Sequence, residues 1–515
     1  MTRGARNRTR TIASVVALTG ALTGLSVVAG GPGASAKSTT VGASTDPVAA
    51  WTGARDYWAC GWTGKGVDVA LIDTGVAPVA GTGTIVNGPD LSFDLQTGGP
   101  AYLDDFGHGT HLASIINGHD AGVGVTGACR LKNNGGVKNA DYPQATGYAG
   151  IAPGARVLNM KVGGNDGAVD VTQVIAAIDW TVQHRSANGL NVRVIALAYG
   201  ANSTAGADTD VLSHAVEVAR SKGIVVLASA GNDGSTRTDL AFPARNPDII
   251  AVGAVDYMGS TSTSDWTVAG FASHGTSKRG VDILTPGVNV VGLRVPGSAI
   301  DSSAPSATGD RFIRGSGTSQ SAAVAAGLSA LLLQRYPTAT PDQVKAMLQD
   351  ASIKVKGNSW HQGAGAVLGD NLLTVAPRTV YVSSVKTLGT APIESDRVDG
   401  TVTMSGVDLS GERDVQGNVW PGAAWASAAS AGTSWSGGSW MGHPWTGGSS
   451  TASGWATATW STSWAGPSFT SRGWDGGSWD GSRWYGSRWY ATNWTGSRWY
   501  GSRWYGANWS GSAWS

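Results

Sequence analysis

Short apolar runs alternate with longer stretches of helical periodicity between residues 68 and 348, and this alternation restricts the possible folds most. Five runs show almost no polar alternation, as strands covered on both faces require: 67–72, 157–160, 192–197, 224–228 and 249–252. A helical stripe lies between them at Val171, Val174, Ile175, Ile178 and Val182. Residues 340–343 read Thr-Pro-Asp-Gln, which combines a helix cap, a first-turn proline and a capping-box glutamine. The pattern predicts an α/β fold, a mostly parallel sheet covered by helices on both faces.

Length and charge limit what such a fold can be used for. The chain has 515 residues, more than one core usually fills, so we expect one large domain with additions. It carries 36 Lys and Arg against 35 Asp and Glu, a net charge of +1. This balance argues against a polyanionic partner, and no nucleic-acid contact is expected.

The first 36 residues are typical of a secretory signal peptide. Four arginines precede an apolar stretch at 11–30, and Ala34-Ser35-Ala36 supplies the small residues of a cleavage site. A retained membrane anchor is the alternative, because the stretch is nearly long enough to span a bilayer. With cleavage after Ala36 we expect a secreted protein that has no membrane span. Export would place Cys60 and Cys129 in an oxidising compartment, where they either pair or remain thiols.

Asp73 ends the first apolar run, in "VALIDTGVA", and is the first candidate for chemistry. In parallel sheets, functional residues collect at the carboxyl ends of strands. An aspartic protease would need a second Asp-Thr/Ser-Gly motif, and the sequence has none. A hydrolase triad would instead need a histidine and a hydroxyl nucleophile, and a strand-ending turn residue would need no partner.

Two further residues stand where a triad would need them, and a third suits the binding of an oxyanion. His108, in "DDFGHGTHLASII", lies directly before a helical pattern. Ser319, in "RGSGTSQSAAVAAG", lies at the start of the most apolar helix, where first-turn amide groups stabilise negative charge. Asn232, in "VVLASAGNDG", follows a strand and offers an amide suited to binding an oxyanion.

The motifs LIDTG, HGTH, SAGN and GTS, in this order, resemble those of the subtilisin-like serine peptidases, or subtilases, over about residues 45–375. The resemblance implies that Ser319 attacks the peptide carbonyl and that His108 takes its proton. It further implies that Asp73 orients His108, and that Asn232 and the Ser319 N–H bind the oxyanion. No cofactor is required for this chemistry.

The resemblance also implies where substrate and metal would bind. It assigns the substrate-binding positions to Ala198, Tyr199 and Gly200 in an aligning strand and to Ser229, Ala230 and Gly231 in the facing S1 wall. Tyr199 replaces the family's usual leucine, so we expect narrower upstream subsites. The family fold brings Cys60 and Cys129 to the same side of the sheet, which implies a disulfide between them. Structural calcium is frequent in the family, but no ligand set maps onto this sequence, and the metal content stays unknown.

We divide the sequence into four parts: signal peptide 1–36, peptidase domain 37–376, β-leaning connector 377–415 and Gly/Ser/Trp repeat tail 416–515. The tail holds 17 of the 23 tryptophans, most of them five residues apart. Five-residue spacing gives no single aromatic stripe on a helix or a strand. The tail is therefore either a solenoid or a flexible chain of aromatic residues with Gly and Ser spacers.

Together these features predict a secreted serine endopeptidase that acts on polypeptides through an Asp-His-Ser triad. We expect the tail from residue 416 to retain it at the cell surface by contact with carbohydrate or other envelope polymers, and to add nothing to bond cleavage. One alternative is an envelope adhesion or scaffolding protein with a weak or inactive peptidase-like domain, and another is an esterase. Too few residues separate Ala36 from Asp73 for the inhibitory domain that many relatives carry, so we expect folding without one.

Overall fold

A computed structural model describes residues 46–445, together with 483–484 and 488–490. Within the first range it leaves out 93, 95–101, 134, 166, 168, 235–238, 304–310, 381–385, 398–402, 405–406 and 409–410. The predicted signal peptide and most of the repeat tail lie outside the described residues. No helix among the residues described is both long and apolar enough to cross a membrane.

The helices follow one another along the chain as numbered here. The α-helices are α1 Asp46–Trp51, α2 Ala54–Ala59, α3 His108–Asn117, α4 Val171–His184, α5 Val211–Ser221, α6 Ala299–Ser303, α7 Thr318–Arg335, α8 Pro341–Asp350, α9 Gly369–Thr374 and α10 Gly422–Ala431. Short 3-10 turns lie at Thr263–Asp265, Ser359–His361 and Ile393–Asp396.

The strands are numbered in the same way. The first eleven are β1 Asp68–Asp73, β2 Ile85–Asn87, β3 Val125–Thr126, β4 Gln144–Ala145, β5 Arg156–Lys161, β6 Val192–Leu197, β7 Tyr199–Gly200, β8 Val225–Ser229, β9 Ile250–Asp256, β10 Thr267–Val268 and β11 Ile283–Pro286. The others are β12 Val290–Leu293, β13 Phe312–Ser316, β14 Ser352–Ile353, β15 Ala366–Val367, β16 Thr403–Met404, β17 Val407–Asp408, β18 Trp435–Ser436, β19 Ser439–Trp440, β20 His443–Pro444, β21 Arg483–Trp484 and β22 Arg488–Tyr490.

A central sheet of ten strands carries the fold. Its order is β14-β15-β11-β9-β8-β6-β1-β5-β2, and β10 pairs with β9. The pairs β14–β15 and β9–β10 are antiparallel and the others are parallel. The five predicted apolar runs are β1, β5, β6, β8 and β9, and nearly all their residues are buried. The predicted α/β fold, with helices on both faces of a mostly parallel sheet, is thus confirmed.

The predicted helix signals also hold. Helix α4 contains the predicted apolar stripe, and a capping box of Asp170 and Gln173 begins it. Helix α8 begins with Thr340 as its cap, Pro341 in the first turn and Gln343 completing a capping box. These local signals fix where the helices begin.

Residues 386–397 and 411–445 lie across α4 and α5, and we call these residues the strap. Helix α10 packs on α5, and β18 packs on α4. Arg397 donates to both carboxylate oxygens of Asp170, the cap of α4, at 2.7 and 3.0 Å, and both side chains are buried. Burial alone would raise the pKa of Asp170, but Arg397 together with the hydrogen bonds from Thr172 outweighs burial and lowers it. A bidentate buried ion pair therefore joins the strap to the start of α4.

Indole groups of the strap bind α4 directly. Trp425 and Trp440 both donate to Asp179 Oδ2, at 2.9 and 3.0 Å, and Trp435 donates to the Ala176 carbonyl oxygen at 2.9 Å. The strap tryptophans are at most 6 % exposed and belong to the main hydrophobic core: Trp420, Trp425, Trp435, Trp440 and Trp445. The folded core thus extends past the boundary expected at residue 416. These rings find apolar surface on α4 and α5, so they pack rather than remain exposed.

We predict that Asp179 makes stability depend on pH. Burial raises its pKa from 3.8 to about 6. Between these values the folded chain holds a proton that the unfolded chain has lost, so stability falls as the pH rises through this window. About two pKa units correspond to roughly 3 kcal/mol. Urea unfolding at pH 4 and at pH 7 measures this effect. The free energy of unfolding of the parent should fall by about this amount more than that of Asp179→Asn between the two pH values. An equal change in the two proteins would contradict the prediction.

The two cysteines are joined in the disulfide that the family resemblance implied. Their Cα atoms lie 4.6 Å apart, and the bond connects segments separated by 69 residues. Next to it, Arg130 forms a buried ion pair with Asp56 at 3.0 Å. The disulfide and the ion pair together hold the loop after α3 against α2.

Candidate functional site

Asp73 and His108 meet at the carboxyl edge of the sheet. Asp73 is the last residue of β1, and His108 is the first residue of α3. His108 Nδ1 lies 2.8 Å from Asp73 Oδ1 and 3.0 Å from Oδ2, and both side chains are buried. This carboxylate contact fixes the imidazole ring and makes Nδ1 the nitrogen that carries a proton.

Glycines allow this close approach. Gly107 precedes α3 with φ 103°, in the left-handed region that favours glycine. A Cβ atom on Gly109 would lie 2.1 Å from the carbonyl oxygen of Gly75. The spacing Gly-His-Gly is therefore a steric requirement for packing the start of α3 against the end of β1.

A second polar layer holds Asp73 in place. The Thr74 N–H donates to Asp73 Oδ1 at 2.7 Å, and Thr74 Oγ1 donates to Asp104 at 2.8 Å. Asp104 also accepts from the N–H groups of Gly107 and Thr110, both at 2.7 Å. Burial raises the pKa of Asp104, although these N–H donors oppose the rise. Asp104 was not among the predicted residues, and its only sequence signal was the Asp-Asp pair before the His108 motif.

Lys161 was not predicted either. It ends β5, next to Asp73 in the sheet register, and is fully buried. Its Nζ lies 2.8 Å from Asp94, 3.3 Å from Asp105 and 3.1 Å from the Thr74 carbonyl oxygen. Burial alone would lower the pKa of Lys161, but the carboxylates raise it. Burial raises the pKa of Asp105 to about 7 against the pull of Lys161. The sequence signal that could have identified Lys161 is its position directly after the apolar run 157–160.

Ser319 is the second residue of α7, whose cap is Gly317. Helix α7 packs against α3, the helix that carries His108, and against β6 and β8. Ser319 is completely buried. Its position in the first helical turn directs its backbone N–H toward the start of the helix, where the helix dipole suits an anionic oxygen.

Asn232 is fixed to the same helix. The Thr318 N–H and Oγ1 donate to Asn232 Oδ1 at 2.9 and 3.0 Å, and the Gly231 N–H lies 3.2 Å from Thr318 Oγ1. Because both bonds from Thr318 go to Oδ1, they fix the orientation of the amide and so the direction of its donor, Nδ2. Thr318, which entered the prediction only as part of Gly-Thr-Ser, therefore determines which way the amide points.

The candidate substrate-binding residues lie at the ends of neighbouring strands. Ala198 separates β6 from β7, the strand formed by Tyr199 and Gly200. Ser229 ends the adjacent β8, and the Ala230 N–H donates to the Val252 carbonyl oxygen at 3.0 Å. Tyr199 is fully buried and belongs to the main core. The order β8-β6-β1 places both segments beside Asp73 at one edge of the sheet.

His111, one turn after His108, is not arranged as a metal ligand. It is fully buried, and burial together with His108 lowers its pKa to about 3, which keeps the ring neutral at physiological pH. Among the residues that the structure describes, no group of three or more His, Cys, Asp or Glu side chains is placed to hold a metal ion.

Comparison with known proteins gives a consistent result. The model of the Subtilase family matches residues 64–366. Serine protease AprX of Bacillus subtilis (strain 168) is 34% identical over 318 residues, which cover 60% of this chain and 66% of that protein. Subtilisin DY of Bacillus licheniformis is 30% identical over 310 residues, covering 60% and 90%. The Thermostable alkaline protease of Halalkalibacterium halodurans is 29% identical over 314 residues, covering 60% and 66%. The match spans just under two thirds of the length of Serine protease AprX and of the Thermostable alkaline protease. The strap lies beyond residue 366, where the match to the family model ends.

Proposed function

The chain belongs to the subtilase family, and on this basis we propose that it is a secreted serine endopeptidase that hydrolyses polypeptides through an acyl-enzyme intermediate. The contact of Asp73 with His108 Nδ1 at 2.8 Å is the observation that carries the proposal. A buried carboxylate on Nδ1 leaves Nε2 to act as the base.

In the proposed reaction, His108 Nε2 takes the proton of Ser319 as Oγ attacks the peptide carbonyl carbon. The tetrahedral intermediate collapses when the protonated imidazole gives that proton to the leaving amine, which breaks the C–N bond and leaves an ester on Ser319. Water then attacks the ester with His108 again as the base, and the product acid and Ser319 are released. Asp73 stabilises the imidazolium in both steps and keeps its own negative charge.

The oxyanion would be bound from two sides. The Ser319 N–H belongs to the first turn of α7, and Asn232 Nδ2 belongs to the amide that Thr318 orients. Donors held in place before the reaction stabilise the charge that develops in the transition state more than they stabilise the substrate.

We predict that Asn232→Ala lowers kcat by roughly 10²- to 10³-fold with little change in KM, because the donor acts on the transition state. This magnitude is the one known for removal of an oxyanion-binding asparagine from a subtilisin, a member of the same family. Steady-state kinetics on a short chromogenic peptide measure it. A change in KM alone would assign Asn232 to substrate binding instead.

Labelling of the purified full chain with a fluorophosphonate tests the function, because the reagent needs the nucleophile, the base and the oxyanion site together. We expect a single labelled peptide that contains Ser319. A native fold that takes no label, or a label on another serine, would refute the mechanism. The adhesion alternative, with a weak or inactive peptidase-like domain, predicts slow labelling or none. Cleavage of esters without cleavage of peptides would favour the esterase.

We also propose that the signal peptide is removed after Ala36 and that the repeats beyond the strap, from residue 446 onward, retain the enzyme at the cell surface. Tryptophan and arginine side chains in such a repeat suit contact with sugars or envelope polymers. The strap itself is excluded from this role, because its five tryptophans are buried in the core.

A further inference from the structure

Two short strands of the repeat tail pair with the peptidase domain. Strand β21 pairs antiparallel with β7, with Arg483 opposite Gly200 and Trp484 opposite Tyr199. Strand β22 pairs antiparallel with β13, with Arg488 opposite Ser316 and Tyr490 opposite Arg314. The tail thus adds a strand to each of two edges of the domain.

These two edges flank the candidate nucleophile. Strand β13 ends at Ser316, three residues before Ser319. On the other side, β7 is the candidate substrate-aligning strand, and it packs beside β8. The segment that follows β8 reaches the start of α7 through the bond from the Thr318 N–H to Asn232 at 2.9 Å.

The tail sequence connects the two pairings closely. Only residues 485–487 separate β21 from β22, so the Cα atoms of Trp484 and Arg488 cannot lie more than about 14 Å apart. Residues 481–490 are two tandem copies of Gly-Ser-Arg-Trp-Tyr. The described residues of this tandem, 483–484 and 488–490, therefore pair with the domain on both sides of Ser319.

Antiparallel pairing with an exposed edge is the way an extended peptide is bound by its backbone. The ladder supplies affinity without regard to side chains, and any segment that occupies it excludes another. A ligand tethered to the same chain also has an effective concentration on the order of millimolar, so it competes strongly even when its intrinsic affinity is weak.

We propose that strands β21 and β22 are a ligand of the chain's own cleft, bound in cis, which competes with polypeptide substrates. The proposal rests on the proposed function, because it takes β7 as the strand that aligns substrate. It defines the ligand class that the cleft accepts as an extended peptide held through its backbone.

Hydrogen exchange on the full chain tests the pairing directly. In a Ser319→Ala background, which prevents self-cleavage, Arg483→Pro/Arg488→Pro removes two backbone N–H groups and distorts both paired strands. We expect amide exchange at residues 199–200 and 314–316 to accelerate on the order of tenfold. The matched control is Arg498→Pro/Arg503→Pro, which makes the same change in two other copies of the repeat and should leave this exchange unchanged. No acceleration, or equal acceleration in the control, would overturn the proposal.

Kinetics with Ser319 present give a second measurement. If nine-tenths of the molecules hold the tandem in the cleft, Arg483→Pro/Arg488→Pro should lower KM for a short peptide about tenfold and leave kcat unchanged. The two proposals can fail separately. Fluorophosphonate labelling without any exchange difference would reject the cis ligand and keep the peptidase. An exchange difference without labelling of either variant would keep the bound tandem and reject the peptidase.

Discussion

Replacing Ser319 with alanine is expected to abolish peptide hydrolysis and fluorophosphonate labelling while the fold remains intact. The loss should reach about 10⁶-fold in kcat, the size observed when the nucleophile of a subtilisin is removed. Removing a hydroxyl in the first turn of α7 should lower stability by only about 1 kcal/mol. Turnover of a chromogenic peptide and urea unfolding of the same preparation measure both effects.

The chain offers a matched control in another Gly-Thr-Ser, at 275–277. Ser277 is exposed and lies in a turn closed by the pairing of Gly275 with Gly280. Ser277→Ala should keep full activity and full labelling. A variant pair in which Ser277→Ala loses activity and Ser319→Ala keeps it would exchange the roles of the two motifs and refute the mechanism.

Truncation after Val415 is expected to unfold the peptidase domain. It removes the tryptophans that the strap buries against α4 and α5: Trp420, Trp425, Trp435, Trp440 and Trp445. Truncating one buried tryptophan to alanine costs about 3–5 kcal/mol. Because domains are stable by only about 5–15 kcal/mol, the loss of five exceeds what the fold can tolerate. Calorimetry should find no cooperative transition.

The control is truncation after residue 446, which keeps the whole strap and removes the remaining repeats. This chain should unfold cooperatively and take the fluorophosphonate label. If truncation after Val415 leaves both properties intact, the strap is an appendage and the sequence-based boundary at 416 is the right one.

The sequence predicted the sheet because each strand carries its own signal. Residues of β1, β6 and β8 are apolar on both faces, so their burial is encoded locally. The candidate site could be predicted for a related reason. Asp73 ends the apolar strand β1, and His108 and Ser319 each lie in the first turn of a helix, so each stands at a boundary that the sequence pattern marks.

The strap could not be predicted in this way, because its tryptophans follow a five-residue period that no helix or strand converts into one face. Their partners are specific atoms far away in the sequence, such as Asp179 Oδ2, which is 261 residues from Trp440. Lys161 and Asp104 were missed for a similar reason. A buried charge is recognisable only when its partners are known, and those partners lie on other elements.

The contact between Arg397 and Asp170 spans 227 residues, and that between Trp440 and Asp179 spans 261. During synthesis, α4 is therefore made well before Arg397 and Trp440, the strap residues that contact it. At about 5–20 residues per second, a ribosome needs roughly 10 to 50 seconds to cover that distance. The segments that carry Asp73 and His108 are already made when this interval begins, and Ser319 is made within it. The contacts between the strap and α4 can therefore form only after the segments that carry Asp73, His108 and Ser319 have all been made.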